Sequence, residues 1–176
     1  LVEVDGEPWL AADAGQSLIL RCDEIRMAGR HNQSNALAAC ALADAAGIAL
    51  QAQQRSLRNF PGLPHRCQWV AEREGVQWYN DSKGTNVGAT LAAIDGLPGP
   101  VVLLAGGQAK GGDFRPWRRV LSEKGRAAVL FGQDADQIEL ALNKVLPIYQ
   151  QENLVAAVNC AADIAQAGDS VLLSPG

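Results

Sequence analysis

Apolar and polar residues change their spacing twice along this chain. Over residues 1–30 the spacing is that of strands. "LVEVDGEPWLA" reads as two extended pieces around Asp5-Gly6, a pair that favours a tight hairpin turn, and "SLILRCDEIRMAG" continues with partial alternation. At "RHNQSNALAACALADAAGI" the spacing turns helical. Asn32 stands where an N-cap is expected, and Gly47 closes the run. A shorter helix is predicted over residues 51–59. "FPGLPHR" follows and reads as a linker, because its prolines push the preceding residues out of helical conformation.

Beyond the linker the two periods alternate. "CQWVAEREGVQWYN" reads as a hairpin around Glu74-Gly75, and Val87, Leu91 and Ile94 then share one helical face. "PVVLLAGG" is strand-like, "WRRVLSEKG" helical, and "AAVLFG" strand-like again. "DADQIELALNKV" is a helix with acids in its first turn, where the helix dipole favours them. "LPIYQ" reads as a strand, "NLVAAVNCAADIAQAG" as a helix between Asn153 and Gly168, and "SVLLSPG" as a last strand. Strands that alternate with helices imply parallel pairing through right-handed crossovers. The expected fold class is therefore α/β: a Rossmann-like, mostly parallel sheet over residues 62–176, preceded by a β-rich and then helical segment over residues 1–61. Such sheets bind ligands beyond the carboxyl ends of their strands.

Composition narrows the picture. Apolar residues make up 48% of the 176 and charged residues 19%, which suits a packed core and argues against disorder. The net charge is -4 with no Lys/Arg tract, so a nucleic-acid partner is not favoured, although a local basic pocket is still allowed. No membrane association is expected either, because no apolar run approaches the roughly 20 residues of a spanning helix. "LVEVDGEPWL" carries acids where a secretory signal needs cations. Cys22, Cys40, Cys67 and Cys160 form no C-x-x-C pair, and only His31 and His65 could join them. No metal site is expected from them; they read as reduced, mostly buried thiols of a cytoplasmic protein. The chain lacks an initiating Met and stops directly after a strand-like run, which reads as a fragment of a longer protein.

Three polar clusters fall at the predicted carboxyl edge: "NDSKGTN", "GGQAKGGDF" and the terminal "SPG". In the first, Gly84 permits a tight turn, Thr85 or Asn86 can cap the next helix, Lys83 supplies a point charge for phosphate or carboxylate, and Asp81 can accept from a ribose diol. A capped turn with a surface ion pair explains the same residues. The glycines around Lys110 suit a ligand-contacting loop, yet they match neither a P-loop nor G-x-G-x-x-G, and a plain loop with a solvated Lys fits as well. Asn32 and Asn35 lie three apart, where two amides could read a base edge, or serve as a cap and an exposed polar residue. Arg66, after His65, suits bidentate phosphate binding, or is simply solvated. Taken together these groups fit a nucleotide site with residues from both sides of the linker.

"GRHNQSNALAACALADAAG", "GLPHRCQWV" and "NDSKGTNVGAT" resemble the Mur ligase family, and the resemblance runs across essentially the whole chain. The H-N-x-x-N segment and the His-Arg pair look like features of the wider superfamily. "NDSKGTN" discriminates more, because sister ligases and folylpolyglutamate synthases carry other residues after that Asp. The resemblance implies the end of a P-loop ATPase-type central domain over residues 1–61 and most of a Rossmann-like C-terminal domain over residues 62–176. It implies an ATP-dependent amide ligase of peptidoglycan precursor synthesis, which adds D-glutamate to UDP-N-acetylmuramoyl-L-alanine through an acyl phosphate. Mg²⁺ would be held by residues upstream, the parent would be monomeric, and the fragment alone inactive. By the same resemblance Asn32 and Asn35 lie on the adenine side. Arg66 reaches the ATP phosphates, with His65 beside it near the reaction centre. Asp81 contacts the ribose, and Lys83 stands at the edge shared by nucleotide and acyl phosphate. Thr85 and Lys110 receive a D-glutamate carboxylate, and Ser174, at the start of the segment that helps hold D-glutamate, binds substrate with them. The rival expectations are another amide ligase of the superfamily and a non-catalytic nucleotide-binding module.

Overall fold

The structure is a computed structural model that describes residues 1–27, 29–107 and 112–176. The chain divides into two compact units, Leu1–Gly62 and Leu63–Gly176. Among the described residues no helix is long and apolar enough to cross a membrane.

The first unit opens with three antiparallel strands in sequence order, β1 (Val2–Val4), β2 (Glu7–Ala12) and β3 (Ser17–Arg21). The turn between β1 and β2 places Asp5 and Gly6 at φ 52° and 79°, the left-handed geometry that matches hairpin twist. Two helices follow, α1 (Arg30–Ala45) and α2 (Leu50–Asn59). Leu10, Ile19 and Leu20 of the strands pack with Ala36, Cys40 and Leu57 of the helices to form one core. The helix begins earlier than the sequence suggested. Gly29, at φ 98°, makes the turn that starts α1, so Asn32 lies inside the first turn instead of capping it.

The second unit is one six-stranded sheet: β4 (Gln68–Arg73), β5 (Val76–Asn80), β6 (Val101–Gly106), β7 (Gly125–Phe131), β8 (Ile148–Gln151) and β9 (Ser170–Leu173). Its order is β4-β5-β9-β6-β7-β8, parallel except for the β4–β5 hairpin. Among the described residues four helices complete it: α3 (Val87–Gly96), α4 (Trp117–Lys124), α5 (Ala135–Leu142) and α6 (Leu154–Ile164). Every residue of β6 is buried, as expected of a central parallel strand covered on both faces. Right-handed crossovers put α3, α4 and α5 on one face. The return from β8 to β9 runs the other way, so α6 takes the opposite face, where Ala157 and Ala161 pack on Val102, Leu104, Val129 and Val171. The Asn86 and Asn153 side chains cap α3 and α6, each accepting at 2.9 Å from the amide three residues on.

At the amino edge of this sheet, Asp169 is 1% exposed and accepts a two-point contact from Arg126, whose Nη2 lies 2.9 Å from Oδ1. Asp169 Oδ2 also accepts the Gln166 amide at 2.8 Å. A buried carboxylate that loses its cation keeps its desolvation cost, so Arg126→Ala should lower stability by about 3 kcal/mol in urea unfolding. Unfolding unchanged from wild type would contradict the account of that pair.

Candidate active site

The carboxyl edge of the second unit gathers three backbone segments. One is the turn after β5, another the segment after β9, and the third the loop that leads into β4. Asp81 joins them. It is 7% exposed, and its amide donates to Leu173 carbonyl at 2.8 Å, extending the β5–β9 ladder by one bond. Its carbonyl accepts from Gly84 at 2.7 Å, closing the turn. Its two carboxylate oxygens then reach the other segments: Oδ1 accepts the Cys67 amide at 2.9 Å, and Oδ2 accepts the Ser174 hydroxyl at 2.8 Å.

Ser174 Oγ also lies 2.7 Å from Thr90 Oγ1. An ionised carboxylate has no proton to give, so the Ser174 proton points at Asp81, and Thr90 must be the donor to Ser174. The chain of bonds therefore runs Thr90 to Ser174 to Asp81, with the Cys67 amide arriving from the other side. Ser174 and Thr90 are both fully buried. Ser174 was expected to bind substrate. Its hydroxyl is enclosed and used twice within the protein, so it supports the site from below.

The loop into β4 carries His65, Arg66 and Cys67. His65 and Cys67 have φ of 64° and 44°, left-handed values that non-glycine residues adopt at a cost of order 1–3 kcal/mol each. Tertiary bonds hold them there. Besides the Cys67 amide, the His65 carbonyl accepts from Lys83 N at 3.0 Å, and the His65 amide donates to Gln68 Oε1 at 3.0 Å. The loop is thus stitched to the Lys83 turn, with Arg66 exposed between two strained residues. Burial, with the Asp81 charge adding to it, pushes the Cys67 thiol up to about 12, so it stays protonated and is no nucleophile.

Above this buried floor, His65, Arg66, Lys83 and Thr85 are exposed. The segment after β9 is pinned as well: Gly176 N donates to Gly84 carbonyl at 2.9 Å, and Ser174 N to Leu104 carbonyl at 3.0 Å. The structure therefore brings together six of the residues singled out in the sequence: His65, Arg66, Asp81, Lys83, Thr85 and Ser174. Asn32 and Asn35 belong to the first unit, where Asn35 Nδ2 lies 3.4 Å from Asn32 Oδ1 on one face of α1. Lys110 lies outside the described residues. Sequence reasoning missed Thr90 and the Cys67 amide, because a hydroxyl inside a helix and a backbone N–H carry no pattern. It also gave Asn80 no role, although a polar residue ending a strand at the binding edge was a usable signal.

The family model for the Mur ligase glutamate ligase domain matches residues 65–176. The chain is 51% identical, over 99% of its length, to the UDP-N-acetylmuramoylalanine--D-glutamate ligase of Chromohalobacter salexigens, and 50% identical over 99% to that of Pseudomonas putida. It spans 39% of the length of each of these relatives. Among solved structures it resembles a pseudomurein peptide ligase type C from Methanothermus fervidus, with TM-score 0.69 at 17% identity over 93% of this chain and 36% of that one. It also resembles a Mycobacterium tuberculosis folylpolyglutamate synthase complexed with ADP, with TM-score 0.66 at 18% identity over 90% of this chain and 40% of that one. These structural likenesses establish the fold alone.

Replacing Ser174 separates support from contact. Ser174→Ala leaves Asp81 Oδ2 buried without its donor, and should lower stability by about 1–3 kcal/mol. A direct substrate contact would instead raise KM at unchanged stability, and that result in thermal unfolding and steady-state kinetics would restore the expected role.

Proposed function

The chain belongs to the Mur ligase family, and on that footing we propose that the enzyme carrying it is an ATP-dependent ligase joining D-glutamate to UDP-N-acetylmuramoyl-L-alanine. The observation that carries this reading is 51% identity, along 99% of the chain, to a relative named for D-glutamate ligation. The site supports it: exposed cationic side chains stand over a rigid, internally bonded floor.

The reaction forms an amide from a carboxylate, which is a poor electrophile. Transfer of the γ-phosphoryl group of ATP to that carboxylate breaks the bond to the β-phosphate, giving an acyl phosphate and ADP. The amine of D-glutamate attacks the acyl carbon, the tetrahedral intermediate collapses, and inorganic phosphate leaves. The protein's share of such chemistry is alignment and stabilisation of transferring charge. In this proposal Arg66 takes phosphoryl oxygens in a bidentate fork, with His65 beside it. Lys83 follows the charge from nucleotide to acyl phosphate as a compact, rotatable cation. Each Asp81 oxygen accepts one protein bond and keeps a lone pair for a ribose hydroxyl. Asn32 and Asn35 serve the adenine, and Thr85 and Lys110 the D-glutamate carboxylate. Among the described residues no group of three or more His, Cys, Asp or Glu could hold a metal ion. No step through Mg²⁺ is therefore assigned to these side chains.

The direct test is phosphate release by the full-length enzyme with ATP, Mg²⁺ and UDP-N-acetylmuramoyl-L-alanine. Release should require D-glutamate and fail with the L isomer, and Lys83→Ala should reduce kcat by on the order of a hundredfold or more. Equal release with L-glutamate, or wild-type turnover in Lys83→Ala, would overturn the respective assignment.

A further inference from the structure

His65 is held at each polar group but one. Its amide and carbonyl are engaged by Gln68 and Lys83, and its ring Nδ1 lies 3.1 Å from Asn80 Nδ2. Among the described residues Nε2 has no protein partner. The contact between the two side chains leaves open which nitrogen carries the imidazole proton, but the surroundings of Asn80 decide it.

Asn80 is the last residue of β5, paired with Gln68 on one side and Leu173 on the other. Its Oδ1 accepts the Ser82 amide at 3.0 Å. A backbone N–H can only donate, so this bond fixes which end of the Asn80 side chain is oxygen. The other end is then the NH2 group, which also can only donate. Nδ1 of His65 must therefore present a lone pair, and in the neutral ring the proton lies on Nε2.

We propose that Asn80 is a positioning residue that locks His65 in the Nε2–H tautomer, so that His65 meets a phosphoryl oxygen as a hydrogen-bond donor and not as a base. The left-handed backbone at His65, the neighbouring Arg66 and the bond to Lys83 N place this fixed donor among the groups that face anionic oxygen. The tautomer follows from the hydrogen bonds alone. The role toward phosphate rests on the ligase reading above.

The test uses the full-length enzyme labelled with ¹⁵N-histidine at about pH 9, where an ordinary imidazole is neutral. The His65 signals are identified by their loss in His65→Gln. Wild type should show a protonated Nε2 and an unprotonated Nδ1, without the averaging of a free imidazole. Asn80→Asp keeps an oxygen for Ser82 but offers Nδ1 only an acceptor. The proton should move to Nδ1, and kcat should fall on the order of a hundredfold as the donor at Nε2 is lost. A wild-type ring that is averaged or protonated on Nδ1, or an Asn80→Asp pattern identical to wild type, overturns the lock. A reversed tautomer with undiminished kcat overturns the donor role. Failure of the ligase reading would appear separately, as absent D-glutamate-dependent phosphate release, and leaves the ring signals to judge the lock.

Discussion

A single buried carboxylate constrains the carboxyl edge of this protein. Asp81 cannot sit at 7% exposure as an anion unless donors replace the water it has lost. The Cys67 amide and the Ser174 hydroxyl are those donors, and they come from segments 14 and 93 residues away in sequence. Meeting the needs of one side chain therefore fixes where three strand-end segments lie. Hydrogen bonds to a charged group are roughly twice as strong as neutral ones, so the join is also stiff. The strained φ values of His65 and Cys67 are kept because this join, with the Lys83 and Gln68 bonds, holds the loop from several sides.

Rigidity matters for the chemistry proposed. Phosphoryl and acyl transfer depend on reacting groups being held close and on cations that need not reorganise as charge moves. The long side chains of Arg66 and Lys83 are flexible, but their backbones are not, since each lies in a segment tied to Asp81. The same edge shows a division of labour. The Ser174 and Thr90 hydroxyls and the Cys67 amide are satisfied within the protein, each Asp81 oxygen spends one bond there, and the side chains above are exposed. Asn80 links the two levels, with one end bonded to the backbone and the other to a ring at the surface.

The sheet was legible in the sequence because alternation of period 2 with period 3.6 is a local signal. The all-apolar "VVLLA" announced a strand, Asn153 a helix start, and Thr85 or Asn86 another, of which Asn86 is the cap. The start of α1 was misread because Asn32 is a strong capping type, whereas Gly29 supplied the needed turn three residues earlier. The polar turn was read at the carboxyl edge of the sheet, where it does lie, because strand order alone sets which loops meet there. What could not be read was the direction of its side chains. Ser174 was singled out through the family resemblance, and nothing local announced that its hydroxyl would bond Asp81 and Thr90. Thr90 gave no signal, because its use depends on a partner 84 residues away.

The account depends most on the claim that the Asp81 bonds weld the Arg66 loop to the sheet. Residue-resolved amide hydrogen exchange measures that directly. The Cys67 and Lys83 amides should exchange as slowly as those of β6, although both lie in turns, and should lose that protection together in Asp81→Ala, which removes both acceptor oxygens. Exchange of these two amides at the rate of open loops in the wild type would contradict the account.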